Sequence, residues 1–259
     1  MLNNRLIPCL LLRNGGLVKT QKFANPKYVG DPINAIRIFN EKEVDELMVL
    51  DITASKERRE PNYALIERFA GECFMPLAYG GGIRTIEQAR RLFALGVEKV
   101  CLQTAALENL SLITHLSEEF GNQSVLISID VKKNWLGIPQ IYAAVTGKTH
   151  SQNWCNYLVQ AVKAGAGEVV LNAVGCDGMM HGMDLELIRE AAKAISVPLI
   201  AVGGVGSLAD IEAAVDAGAS AVAAGAFFVF HGPHRAVLIT YPRHEELKKL
   251  FWRSYELEN

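Results

Sequence analysis

The 259-residue sequence has no excess of positive charge and no long apolar run. Lys and Arg number 26 against 28 Asp and Glu, a formal charge of −2, so nothing indicates a nucleic-acid or anionic-membrane partner. No apolar run approaches the roughly 18 residues of a membrane span. The apolar stretch at the N-terminus is too short for a secretory signal. We therefore expect a cytoplasmic protein.

Metal-binding and disulfide patterns are also missing. The cysteines are five in number and never spaced CxxC, which predicts reduced, buried thiols. One histidine pair, His231 and His234, has helical spacing but no accompanying carboxylate or cysteine motif. We therefore predict no metal site and no cofactor. The cysteines are Cys9, Cys73, Cys101, Cys155 and Cys176.

What the chain does have is apolar sequence: 50% of it is hydrophobic and 21% charged, which excludes a disordered protein. Short runs rich in Val, Ile and Leu are typical of parallel strands buried on both faces. The predicted strands are Arg5–Leu12, Glu46–Asp51, Pro76–Tyr79, Lys99–Leu102, Ser124–Asp130, Glu168–Asn172, Pro198–Val202 and Ala221–Ala224.

Amphipathic segments alternate with these strands and predict helices. Eight βα units in one chain favour a (β/α)8 barrel, with a doubly wound open sheet as the alternative. No linker divides the chain, so residues 1–259 are expected to form one domain. The predicted helices are Pro32–Glu43, Pro61–Cys73, Thr85–Leu95, Ser111–Phe120, Asn153–Ala164, Leu185–Ile195, Leu208–Ala217 and Glu245–Tyr255.

Two insertions interrupt this alternation. Lys133–Gly147 is predicted to form a hairpin after the fifth strand, and His231–Tyr241 contains an apolar VLIT run after the eighth. In a barrel, both would lie on the face where the strands end, which is the face that carries active sites. An exposed VLIT run would favour an added protein contact.

The chain also repeats itself at half its length. The segments beginning at Pro76 and Pro198 align without a gap at an offset of 122 residues, and their Gly-Gly pairs coincide. This repeat makes each half a four-unit half-barrel. The first and fifth strands correspond as well, and there Leu11 matches Asp130.

A glycine-rich loop follows the third strand, and another follows the seventh. Glycine lets backbone N–H groups approach a phosphate, and the helix that follows adds positive potential. Two such loops across a barrel mouth would suit a ligand with a phosphate at each end; the alternative is that they are only tight turns. The predicted phosphate or substrate residues are Lys19, Gly81, Gly82, Gln103, Thr104, Asp177, Gly178, Gly203, Gly204 and Gly225.

Two carboxylates stand at strand ends. Asp130 ends the fifth strand and Asp51 ends the second, where a side chain points into the mouth and acid–base catalysis takes place. The alternative is that each caps the turn that follows it.

Four charged residues open strands at the opposite end of the predicted barrel. Two are basic and two acidic, so they could pair across the axis as a gate over a central channel. The alternative is that they are ordinary strand-entry residues in water. The four are Arg5, Glu46, Lys99 and Glu168.

Together these segments resemble the cyclase subunit of imidazole glycerol phosphate synthase, the HisF family. The resemblance implies a (β/α)8 barrel that receives ammonia from a glutaminase (HisH-type) partner. Ammonia would pass a gate matching Arg5, Glu46, Lys99 and Glu168 and reach a bisphosphate ribulosyl substrate. The matching segments are NNRLIPCLLL, VDELMVLDITAS, GGGIRTIEQA, LGVEKVCLQTAA, LISIDVK, GAGEVVLNAVGCDG and VGGVGS.

The chain departs from the family pattern at the catalytic end. Asp130 matches one catalytic aspartate, but Leu11 stands where the pattern has the other. Losing an acid–base group typically costs about 10²–10⁴-fold in rate. Four further positions that line the family's site also differ: Gln103, Asn172, Gly175 and Gly225.

The gate at one end of the predicted barrel is complete, whereas the mouth at the other end is altered. This combination favours an ammonia-channelling HisF-like paralogue found with surface-polysaccharide genes. Its ammonia would go to a third enzyme, a sugar amidotransferase that forms an acetamidino group. The alternative is an authentic histidine-pathway cyclase in which Asp130, aided by Asp51, acts alone. A scaffold that only activates the glutaminase, and an isomerase on the same barrel, are further alternatives.

Overall fold

The computed structural model describes residues 4–232 and 234–256. In this part of the chain the strands are β1 (Arg5–Arg13), β2 (Gly16–Gln21), β3 (Ala24–Gly30), β4 (Leu47–Asp51), β5 (Leu77–Gly80), β6 (Lys99–Leu102), β7 (Val125–Lys133), β8 (Pro139–Ala143), β9 (Lys148–Thr149), β10 (Glu168–Ala173), β11 (Leu199–Val202), β12 (Ala221–Ala224), β13 (Phe230–His231) and β14 (Ala236–Val237). The helices are α1 (Pro32–Glu41), α2 (Tyr63–Ala70), α3 (Ile86–Ala94), α4 (Thr104–Glu108), α5 (Ser111–Phe120), α6 (Trp154–Lys163), α7 (Leu185–Ala194), α8 (Leu208–Asp216), α9 (Ala226–Val229) and α10 (His244–Glu256).

Eight parallel strands close into a barrel in the order β1-β4-β5-β6-β7-β10-β11-β12. The ring is closed because β12 pairs in parallel with β1, with Arg5 beside Ala221. The predicted (β/α)8 barrel is confirmed, and the open-sheet alternative is wrong because a closed barrel has no edge strands.

The barrel interior is a packed apolar layer, separate from the core between strands and helices. Alternate side chains of each strand point inward, and here more of them are small or sulfur-containing than branched. Interiors of such barrels are filled by side chains in layers. The interior layer consists of Ile7, Cys9, Met48, Ala78, Cys101, Leu126, Val170, Ile200, Ala221 and Ala223.

The half-length repeat holds element by element. The unit β5–α3–β6 and the unit β11–α8–β12 have the same bounds when 122 is added to the first. Both helices begin with a capping box, at Thr85 and at Ser207, which satisfies backbone N–H groups of the first turn. The repeat therefore extends from the sequence to the details of the helix ends.

The segment after β1 forms two antiparallel strands, which the apolar strand pattern of the sequence did not predict. Strands β2 and β3 pair antiparallel, and β2 also pairs with β1. Lys22 and Phe23 at the turn both have positive φ, 51° and 63°. Such turns usually carry Asn-Gly or Asp-Gly. The β1–β2 turn has this signal at Asn14-Gly15, with φ of 52° and 79°, whereas the β2–β3 turn lacks it. Lys19 lies in a strand.

All five thiols are free, but the prediction that they are buried holds only for Cys9 and Cys101; the other three are half-buried. No helix among residues 4–232 and 234–256 is long and apolar enough to cross a membrane. The same residues contain no cluster of His, Cys, Asp and Glu that could hold a metal ion.

Candidate active site at the carboxyl ends of the barrel strands

A cavity of about 680 Å³ opens where the barrel strands end. Its floor is apolar, since Leu11, Leu50 and Val202 pack on the interior layer. The predicted site residues that line it are Leu11, Lys19, Asp51, Gly81, Gln103, Thr104, Asp130, Asp177, Gly178, Gly203, Gly204 and Gly225.

Gly82 is the predicted site residue at this end that does not line the cavity. Its N–H donates to Ser55 Oγ at 3.2 Å, and a Cβ at this position would lie 2.7 Å from Arg59 O. Packing against the neighbouring loop explains this glycine.

Asp130 is buried at the end of β7, with its carboxylate in the cavity wall. Gln103 Nε2 donates to Asp130 Oδ2 at 2.7 Å and to Tyr142 O at 3.2 Å. Burial, followed by the charge of Asp177, raises the pKa of Asp130 to about 7, against a hydrogen bond from Ser128. A carboxyl group with such a pKa can both accept and release a proton near neutral pH.

We expect Asp130→Asn to stabilise the protein at about pH 8 more than at about pH 4. The folded pKa is raised from 3.8 to about 7, so between these values the unfolded state is ionised and the folded state is not. The stability that this carboxyl contributes is full below about pH 4 and is lost as the pH rises through about 7, by at most about 4 kcal/mol. Urea unfolding across this range measures the difference.

The matched control is Asp216→Asn, which removes an exposed carboxylate at the end of α8. Its effect should vary little over the same range. An Asp130→Asn effect equally flat with pH would contradict the assigned cause.

Lys19 reaches into the site from β2. It is buried, its Nζ donates to Cys9 O, and burial lowers its pKa. A Cβ at position 225 would collide with this ammonium. Glycine at 225 therefore makes room for a buried positive charge at the cavity wall.

Asp177 fastens the β2–β3 hairpin over the mouth. Thr20 Oγ1 donates to Asp177 Oδ2 at 2.9 Å, and the Lys22 N–H donates to Asp177 O at 2.9 Å. Burial raises the pKa of the Asp177 carboxyl. The sequence predicts that Asp177 lies beside a phosphate; in the structure its side chain and carbonyl accept hydrogen bonds that hold the β2–β3 hairpin.

Asp51 lies at the mouth, with its oxygens engaged locally. Oδ1 accepts from Thr53 N at 3.0 Å, Thr53 Oγ1 at 2.9 Å and Ala54 N at 3.0 Å. Oδ2 lies 3.5 Å from Arg59. This geometry is that of the turn cap named as the alternative for this residue.

The two glycine loops have matching backbones. Gly81 and Gly203 have φ of 116° and 99°, in the region that favours glycine. A Cβ at Gly203 would lie 2.9 Å from Ala173 O, and one at Gly81 would collide with Asp51 O. Tight packing therefore requires both glycines, whether or not a phosphate binds there.

Sequence reasoning missed part of the cavity wall. Phe23 and Tyr142, from two hairpins, line the cavity in edge-to-face contact at 5.9 Å between ring centroids. Asn172, which the family resemblance places in the site, also lines the cavity, and its buried Oδ1 has no hydrogen-bond partner in the described structure. Asn172 lies beside Asp130 in the β10–β7 register.

At the opposite end of the barrel, the four predicted charges form a closed ring, here called the charged ring (Arg5, Glu46, Lys99 and Glu168). Lys99 Nζ donates to both carboxylates at 2.9 Å. Arg5 donates to Glu46 at 2.5 Å and to Glu168 at 3.1 Å. Each cation therefore bridges both carboxylates, and the alternative of four separate residues in water is wrong.

A family model and several related proteins match most of this chain, and their names agree with one another. A family model described as "Histidine biosynthesis protein" matches residues 5–233. A Pseudomonas aeruginosa protein, provisionally named imidazole glycerol phosphate synthase subunit hisF2, is 54% identical over 93% of this chain and 97% of its own. A Vibrio vulnificus protein, provisionally named hisF3 of the same synthase, is 50% identical over 96% of each chain. The Thermobifida fusca imidazole glycerol phosphate synthase subunit HisF is 40% identical over 87% of this chain and 90% of its own.

Proposed function

The chain belongs to the HisF family of histidine biosynthesis proteins, and we propose that it carries ammonia from a HisH-type glutaminase to an acceptor outside its own cavity. In this proposal it is the synthase subunit of a cytoplasmic glutamine amidotransferase heterodimer. The ammonia enters at the charged ring and leaves at the mouth.

The observation that carries the proposal is a contrast between the two ends of one barrel. The charged ring is complete, with both carboxylates bridged by both cations. Between the charged ring and the cavity lies the interior layer of apolar side chains. An apolar layer disfavours ammonium far more than neutral ammonia, because a buried unpaired charge costs much more than a small neutral solute.

At the other end, the cavity retains one of the two catalytic aspartates of the family pattern. Leu11 lies in the floor and cannot take or give a proton, whereas Asp130 remains. Ring closure by the family mechanism therefore lacks an acid–base partner. The proposed acceptor belongs to a separate sugar amidotransferase that forms an acetamidino group during surface-polysaccharide (lipopolysaccharide) synthesis.

A second candidate function is the ring-closing cyclase of histidine biosynthesis. It is favoured by the pKa of Asp130 near 7 and by the matching conformations of the glycine loops, which would suit a bisphosphate ligand. In that case Asp130, aided by Asp51, would carry the acid–base chemistry without a second catalytic aspartate.

We expect the wild-type chain, supplied with an ammonium salt, to turn over the ribulosyl bisphosphate substrate at least about 10²-fold more slowly than the Thermobifida fusca HisF subunit, since one acid–base group is missing. Formation of imidazole glycerol phosphate measures this rate. Intact stimulation of the glutaminase by the same preparation controls for folding. Turnover equal to that of the Thermobifida subunit would establish the second candidate.

A further inference from the structure

Exposed apolar side chains gather around the mouth of the barrel. Of the eight large apolar side chains exposed in the described structure, seven follow the carboxyl ends of barrel strands. The eighth, Phe74, precedes β5 at the opposite end. The seven are Tyr28, Ile52, Trp135, Leu136, Ile138, Val237 and Leu238.

The most exposed of the eight, Trp135, lies in a turn that is held by hydrogen bonds. Trp135 is 90% exposed, in the turn between β7 and β8. Asn134 Oδ1 accepts from the N–H groups of Leu136 at 2.9 Å and Ile138 at 3.0 Å, and its own N–H donates to Ile138 O at 3.0 Å. A large aromatic side chain on a preorganised turn has little order to lose when it is covered, and tryptophan is enriched among the residues that dominate interfaces.

Three extensions around the mouth are linked by contacts and are here called the collar (residues 14–30, 132–149 and 234–238). Phe23 meets Tyr142 between the first two segments. Arg235, in the third, donates to Gly178 O and Met179 O, beside the aspartate that fastens the β2–β3 hairpin. The β2–β3 hairpin therefore contacts the second segment directly and is linked to the third through the loop after β10.

The collar has one sign of charge. It contains seven of the 26 Lys and Arg residues and none of the 28 Asp and Glu residues, while the whole chain has a formal charge of −2. Lys19 is buried, but Lys22, Lys132 and Lys148 are exposed. In the described structure, these three side chains form no ion pair. The collar is therefore complementary to a surface that is apolar and acidic.

We propose that the collar is the docking surface for the ammonia-consuming enzyme, whose matching surface is apolar with acidic residues and seals the cavity mouth against bulk water. This inference rests on the proposed function and names the place where the acceptor sits. A second copy of this chain fits poorly, because two cationic collars would repel each other. A lipid surface would cover the mouth without offering a nitrogen acceptor.

The first experiment uses the full chain with its glutaminase in living cells. A photo-crosslinking residue, p-benzoylphenylalanine, replaces Trp135 in one strain. In the control strain it replaces Glu190, which is exposed on α7 at the side of the barrel. We expect position 135, and not position 190, to crosslink to an enzyme that consumes ammonia. Crosslinking at position 135 to a second copy of this chain, to lipid alone or to nothing would overturn the inference.

The second experiment measures nitrogen transfer in the purified complex of all three proteins. The nitrogen donor is glutamine labelled with ¹⁵N in the amide, and unlabelled ammonium is present in excess. We expect the double variant Trp135→Ala, Leu136→Ala to bind the acceptor enzyme about tenfold more weakly or worse and to lose ¹⁵N from the product. Glutaminase stimulation should be unchanged in this variant, and Glu190→Ala should resemble wild type.

The outcomes distinguish a failure of the docking site from a failure of the proposed function. Unchanged ¹⁵N retention in the double variant, or binding to vesicles of anionic phospholipid that depends on Trp135, would reject the collar as a protein docking site. Ring closure by the wild-type chain at the rate of the Thermobifida subunit would reject the proposed function itself.

Discussion

Leu11→Asp is expected to raise ammonium-supported formation of imidazole glycerol phosphate by about 10²–10⁴-fold over wild type. Leu11 lines the cavity from β1, and Asp130 lines it from β7, the first and fifth of eight barrel strands. A carboxylate at position 11 would supply the second acid–base group across the mouth. Steady-state turnover of the ribulosyl bisphosphate, with ammonium in place of the glutaminase, measures the gain.

The matched control is Leu11→Asn, which has the shape of the aspartate variant without its proton chemistry. We expect no gain from it. A folded Leu11→Asp protein that remained as slow as the asparagine variant would contradict this prediction and would locate the loss of activity in other cavity residues.

Lys99→Met should destabilise the protein by about 3–5 kcal/mol, because it leaves buried carboxylates short of a cation. Glu46 is 1% exposed, and its Oε2 accepts from both Lys99 and Arg5, while Oε1 has no hydrogen-bond partner in the described structure. Without Lys99, the two carboxylates share one cation, Arg5, and Glu46 is too buried for water to replace the lost partner. Urea unfolding of the purified chain measures the change in free energy.

Two variants test the cause. Adding Glu46→Gln to Lys99→Met removes the unpaired charge and should restore much of the stability. Arg37→Met breaks the exposed pair that Arg37 forms with Glu72 at 2.5 Å, and should change the stability much less, because water screens an exposed ion pair. Equal effects of Lys99→Met and Arg37→Met would show that the charged ring contributes no more than a surface pair.

The barrel could be predicted from sequence because its strands are buried on both faces and are therefore continuous apolar runs. Lys99–Leu102 and Ala221–Ala224 were predicted with the bounds that the structure shows. The β2–β3 hairpin could not be predicted, since Lys22 and Phe23 take a turn conformation that their side chains do not favour.

Part of the candidate site could also be predicted from the sequence, and part could not. The strand-end position predicts that Asp130 lies at the cavity, and the strand starts predict the charged ring. Contacts made by the loops could not be predicted: Thr20 and Asp177 are 157 residues apart, and the Lys19 side chain turns back to the carbonyl of Cys9. Such contacts depend on how the loops fold over the mouth, for which a single sequence carries no periodic signal.

The repeat gives the mouth a pseudo-twofold symmetry, which the side chains at equivalent positions break. Gln103 and Gly225 correspond at the 122-residue offset. The first places an amide against Asp130, and the second leaves space for the Lys19 ammonium. A ligand with a phosphate at each end would meet similar glycine loops at its two ends. It would meet different side chains, with the Gln103 amide in one half and the Lys19 amine in the other, so the site would distinguish the two ends of an asymmetric ligand.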